Sequence, residues 1–100
     1  MVDLSAVERF EWDDGNARKS EEKHNVTRQE AEQVFLNEPL LLLDDAEHSQ
    51  REPRFHAYGH TEVGRRLQVS FTLRDEGRAV RVISTRPMSK KERERYEAEV

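Results

Sequence analysis

At 100 residues the chain suits one domain, and 22 Leu, Ile, Val and Phe residues set against 38% charged residues leave it only a thin core. It has no cysteine, which excludes a disulfide framework or a thiolate metal site, and its longest apolar run, residues 40–43, falls far short of the roughly 20 residues a membrane span needs. A net charge of −4 excludes a uniformly basic nucleic-acid binder, yet residues 1–50 hold 5 Lys and Arg against 13 Asp and Glu, whereas residues 51–100 hold 12 against 8.

That lopsided charge predicts a basic working face and an acidic back, with chance clustering of surface charge as the plainer alternative. The thin core predicts a marginal fold that gains stability from a partner. The first ten residues include Asp3 and Glu8 and lack a long apolar stretch, so no signal peptide is expected and the expected location is cytoplasmic.

In chain order, residues 1–9 read as a loose lead-in to a single domain spanning 1–100. Phe10, Glu11 and Trp12 alternate apolar and polar and suit a short edge strand. Asp13 or Asp14 can cap a polar helix over residues 15–23, and Asn25 is a natural left-handed stop. Thr27 and Glu30 form a capping box, and Ala31, Val34 and Phe35 give the helix behind it one apolar stripe, ended by Pro39. Residues 40–43 read as a short buried strand and residues 44–53 as a polar loop. Alternation resumes over residues 54–60. Leu67, Val69, Phe71 and Leu73 then alternate with Arg66, Gln68, Ser70, Thr72 and Arg74. Asp75, Glu76 and Gly77 turn the chain into a strand over residues 79–85. Ser89 and Glu92 form a second capping box, which opens a last helix.

The order is β-α-α-β-β-β-β-α. It predicts an α+β fold: an antiparallel sheet of four to five strands, with the helices packed on one face. The opposite face would gather Arg54, His56, Tyr58, His60, Arg66, Gln68, Ser70, Thr72, Arg74 and Arg81, with Arg86 and Lys90 near its edge. Arginines beside aromatic rings suit a single strand of RNA, guanidinium groups on phosphates and rings on bases. RNA also carries its own nucleophile, the 2′-hydroxyl, so cleavage needs only proton transfer and cations for the phosphorane charge. Histidine ordinarily titrates near neutrality, and arginine can clasp a phosphate with two N–H groups. Exposed surface residues are the dull alternative for His56 and His60, and His48 reads as a turn residue or strut. Asp44, Asp45 and His48 lack a strong ligand signature, so neither metal nor cofactor is expected. Arg81 interrupts a β-branched run and needs either a phosphate or a structural acidic partner.

Several ordered pieces carry a family resemblance. They are FEWD at residues 10–13, Lys23-His24-x-Val26, EAEQVF at 30–35, Asp45-x-x-His48-Ser49, Arg54-Phe55-x-Ala57-x-Gly59, Arg81-Val82-Ile83-Ser84-x-Arg86, and Glu92-Arg93-x-x-Tyr96. Together they resemble the BrnT family of type II toxin–antitoxin systems over nearly the whole chain. The resemblance implies a RelE-like fold, a metal-independent endoribonuclease that inhibits translation, and neutralisation by a BrnA-type antitoxin, with operator DNA bound only through that antitoxin. It places active-surface positions on Arg54, Arg81 and Arg86, with Lys23 and His24 as further candidates. The expected catalytic set is therefore Arg81, Arg86, His24 and His56, and the expected RNA-binding set is Arg54, Tyr58, Lys23, Arg66 and Lys90. Asn25 stands where the family usually has glycine, and Pro87 follows Arg86 where a basic residue is usual. The alternative is a non-catalytic toxin-like module that acts as antitoxin partner or corepressor.

Overall fold

Alternating apolar residues in the second half of the chain form the centre of a five-stranded sheet in the computed structural model, which describes residues 2–100. The strands are β1 (Arg9–Trp12), β2 (Leu41–Asp44), β3 (Phe55–His60), β4 (Arg66–Arg74) and β5 (Ala79–Pro87). The helices are α1 (Asp14–His24), α2 (Arg28–Leu36) and α3 (Lys90–Glu99). The element order matches the expected one.

Local chemistry sets the helix ends. The Asp13 carboxylate accepts from the Asn16 N–H at the start of α1, and Asn25 closes that helix in the left-handed region at φ 52°. Both capping boxes form, Thr27 with Glu30 and Ser89 with Glu92. Between β4 and β5, Asp75, Glu76 and Gly77 all take positive φ.

The strand order is β1-β5-β4-β3-β2. Strands β2 to β5 form an antiparallel meander, with short connections between β3 and β4 and between β4 and β5 and a longer loop between β2 and β3. Strand β1 departs from the expected all-antiparallel sheet. It runs parallel to β5, with Phe10 opposite Val80 and Trp12 opposite Val82. Turn lengths bear only on consecutive strands, so they are silent about β1, which reaches β5 after two intervening helices.

Helices α1 and α2 cover the apolar face, where Val26, Ala31 and Val34 meet Ala57, Leu67, Val69, Phe71, Val80 and Val82. Phe10, Phe35, Phe71 and Phe55 form a chain of ring contacts with centroids 5.1–5.5 Å apart. The lead-in is not loose along its length, because Val2, Leu4 and Val7 pack against this core.

Helix α3 does not join the other two, which corrects the expectation of helices on one face only. It lies across the polar face: Glu92 meets Arg86 and Tyr58, and Glu97 meets Arg66. The reason is its composition. Tyr96 is its one buried side chain, with the hydroxyl donating to the Pro39 carbonyl, and the rest of the helix is mostly charged. With no apolar stripe to bury, it docks through one tyrosine and a set of ion pairs.

Gly59 fixes how closely α2 approaches β3. A Cβ there would stand 3.0 Å from Val34 Cγ1 and 3.2 Å from the Val34 carbonyl oxygen. Gly59→Ala is expected to destabilise the fold by about 1–3 kcal/mol through overpacking, measured as a lower urea midpoint with an unchanged slope.

Candidate functional site

Cross-strand register organises the polar face into rows. Tyr58, Gln68 and Arg86 share one row; His56, Ser70 and Ser84 share the next; Thr72 and Arg81 share a third. Strict alternation would set Arg81 and Arg86, five residues apart, on opposite faces. A β-bulge resolves this. Ser70 pairs with Ser84 and Phe71 with Val82, so Ile83 has no partner and the alternation of β5 shifts by one. Both arginines thereby reach the same face.

Two segments bracket that face. Helix α3 covers the end carrying Tyr58, Arg66 and Arg86. The β2–β3 loop folds over the other end, where Thr72 donates to the Pro53 carbonyl at 2.7 Å and Arg74 meets Glu52 at 3.2 Å. The Asp45-x-x-His48-Ser49 motif shapes this loop. Asp45 caps the short turn Ala46–His48, and the Ser49 hydroxyl accepts from the Arg54 N–H at 2.9 Å.

The arginines differ in how they are neutralised. Arg86 grips both oxygens of Glu92, at 2.6 and 2.8 Å. Those hydrogen bonds hold the Glu92 carboxyl down at about 2 against the opposing effect of burial. The hydrogen bond to Glu92 also raises Arg86 further above its already high ordinary value. Arg81 is held far more loosely, 4.0 Å from both Glu11 and Asp13. Arg54 makes no ion pair among the described residues. Burial raises the Tyr58 hydroxyl, which donates weakly to Glu92 at 3.4 Å.

Beside the arginines lies a buried acid shared by two histidines. Asp45 Oδ2 is 3.2 Å from His56 Nε2 and 2.9 Å from His48 Nδ1. On its far side, His56 Nδ1 lies 2.9 Å from both Gln68 Nε2 and Ser70 Oγ. An amide nitrogen only donates, so Nδ1 accepts and Nε2 carries the proton toward Asp45. Burial lowers the His56 titration, and the nearby Arg86 lowers it further, against the pull of Asp45. Burial pushes Asp45 up, but the His48 hydrogen bonds and the two imidazoles outweigh it and leave Asp45 below its ordinary value.

The structure thus brings Arg81, Arg86, His56 and Tyr58 onto one face. Arg54 enters at the base of the β2–β3 loop, and Arg66 joins under α3, bound to Glu97 at 2.8 Å and stacked on Tyr96. Lys90 is exposed at the first turn of α3. Lys23 and His24 are not brought in. They sit exposed at the end of α1, in the layer on the other side of the sheet, where Arg65 binds the His24 carbonyl. His60 is a strut between the Thr61 and Glu38 carbonyls, at 2.9 Å from each. Sequence reasoning missed Glu92 as the partner of Arg86 and Asp45 as the hub of the histidines. The signals were there: the capping-box glutamate six residues after Arg86, and the Asp-x-x-His spacing of one tight turn. Among the described residues no cluster of three or more His, Asp or Glu is arranged to hold a metal ion, and no helix is long and apolar enough to cross a membrane.

Comparison with solved structures identifies the fold. The chain superimposes on the 1.1 Å crystal structure of the Brucella abortus ribonuclease toxin BrnT with a TM-score of 0.64 and 20% identity, over 82% of this chain and 97% of that one. No curated protein sequence matches. The family described as "Ribonuclease toxin, BrnT, of type II toxin-antitoxin system" matches residues 12–92, and the chain belongs to this family.

Two outcomes follow from the electrostatics. A carboxyl held below its ordinary value adds stability that is complete above about 4.5 and is lost as pH falls toward about 2. Glu92→Gln keeps a capping side chain, so it should lower the melting temperature at neutral pH and converge with wild type near pH 2. Histidine ring resonances followed by NMR should place the His56 midpoint below the ordinary 6.5.

Proposed function

We propose that the protein is the toxin of a type II toxin–antitoxin pair, an endoribonuclease that cuts RNA through its own 2′-hydroxyl and so inhibits translation. The observation that carries this reading is the bulge at Ile83, which sets Arg81 and Arg86 on one face with the Asp45–histidine cluster, in a chain of the BrnT family.

The chemistry follows from the parts. Attack of the 2′-oxygen loads negative charge onto the phosphorane oxygens, and fixed guanidinium groups stabilise that charge more than they stabilise the ground state. Arg86 would take two phosphate oxygens with the fork that now holds the Glu92 carboxylate, and Arg81, two rows further along the same strand, would add charge for the adjoining RNA backbone. Arg54 would position the RNA backbone, while Tyr58 offers a ring for a base. Arg66 and Lys90 would extend the backbone path along α3. A histidine of the cluster around Asp45 would move the proton. Lys23 and His24 lie across the sheet and have no part in this reading.

As a type II toxin the chain would be neutralised by an antitoxin of the BrnA type, would reach operator DNA only through that partner, and would act in the cytoplasm. The RelE-like label for the fold belongs to the same proposal.

Purified, antitoxin-free protein tests the reading. Wild type should cut single-stranded RNA in the presence of chelator, because the nucleophile is internal to the substrate. Arg81→Ala and Arg86→Ala should each lower cleavage roughly 100-fold while retaining antitoxin binding. Wild type that binds antitoxin but never cuts RNA would instead support the non-catalytic binding module.

A further inference from the structure

We infer that His48, rather than His56, takes the proton from the 2′-hydroxyl, with Asp45 as its positioning residue. The inference rests on the ribonuclease reading above and goes beyond it by naming the base.

The two histidines share one carboxylate but are left in different states. His56 has no free nitrogen: Nε2 faces Asp45, and Nδ1 faces Gln68 and Ser70. Its side chain is 23% exposed. It braces Asp45 from within the sheet and is poorly placed to receive another proton.

His48 is the reverse. Its Nδ1 lies 3.1 and 2.9 Å from the two oxygens of Asp45. A carboxylate only accepts, so Nδ1 carries the proton and Nε2 carries the lone pair. Among the described residues Nε2 has no hydrogen-bond partner, and the side chain is 58% exposed while that of Asp45 is 9% exposed. The main-chain N–H of His48 also donates to Asp45, at 3.3 Å, so ring and backbone are oriented by the same acid. A buried carboxylate fixing the tautomer of an exposed imidazole is the arrangement a general base needs.

The surroundings fit a phosphodiester. His48 lines an open groove of about 450 Å³ with Glu47, Gln50, Arg51, Glu52 and Arg54. Asp45 and His56 stand behind it, and Arg86 and Glu92 lie near enough for their charges to act on His56. In the step, His48 Nε2 accepts the 2′-hydroxyl proton as the 2′-oxygen bonds to phosphorus. The bond from phosphorus to O5′ breaks, its electron pair leaves on O5′, and O5′ takes a proton from water; the hydroxide left behind takes the proton held on His48 Nε2, which restores the water and the base. The products are a 2′,3′-cyclic phosphate and a 5′-hydroxyl end.

The test is cleavage of a single-stranded RNA oligonucleotide by the full chain. His48→Ala should lower kcat about 100-fold or more, with KM changed less than about twofold. Added imidazole should restore a substantial part of that loss, which a purely structural role would not allow. His56→Gln should lose less than His48→Ala and gain nothing from imidazole. His48→Gln is compared alongside, so that a folding defect in one variant does not decide the matter. If wild type and His48→Ala cleave alike while Arg86→Ala is impaired, this inference falls and the ribonuclease reading stands. A His48→Ala loss that imidazole leaves unrestored also overturns it. Wild type that does not cleave overturns both.

Discussion

One unpaired residue decides which side of the sheet the arginines serve. Without the bulge at Ile83, period-two alternation would send either Arg81 or Arg86 into the layer where α1 and α2 pack. That layer is built from valines, leucines and phenylalanines and has no place for an unpaired guanidinium. The bulge lets β5 keep Val80 and Val82 in the core while both arginines face the opposite way. The rest of the site depends on that offset, because His56 and Tyr58 are placed by the unbroken register of β3 and β4, and His48 by the Asp45-capped turn beside them.

The same face shows how an acidic chain can present a cationic site. Three of its acids each hold a cationic or imidazole partner. Glu92 closes on Arg86, Asp45 takes two histidines, and Glu97 takes Arg66. The partially buried pairs order the side chains that surround the groove. Exposed pairs contribute little to stability, so their value here is positional. Glu92 has a particular place in this scheme, since its carboxylate has the charge and the two-oxygen geometry of the phosphate edge that Arg86 would bind. An RNA strand would exchange one anion for another without leaving the guanidinium bare.

How much of this was legible in the sequence follows from which forces are local. The capping boxes at Thr27 and Ser89 and the left-handed stop at Asn25 involve residues within four of each other, and all are found as read. The alternation of residues 66–74 likewise predicts the polar and apolar faces. The parallel partner of β1 is a long-range choice made by burial of Phe10 and Trp12, and no turn encodes it. The position of α3 is hidden for a different reason: a helix of mostly charged residues shows no stripe from which a docking face can be read, and Tyr96 alone does not reveal its side. His48 looks like a turn residue because it is one. Only the fold shows that the acid capping that turn also lies against His56.

Binding of a single-stranded RNA that cannot be cut tests the central claim most directly. A 2′-O-methyl oligonucleotide titrated into labelled protein reports, by amide and side-chain NMR shifts, which side of the sheet it contacts. Shifts should concentrate at Arg54, His56, Tyr58, Arg81, Ser84 and Arg86, with α1 and α2 undisturbed. Shifts centred on Arg18, Lys19, Lys23 and Arg28, with the polar face silent, would contradict the account.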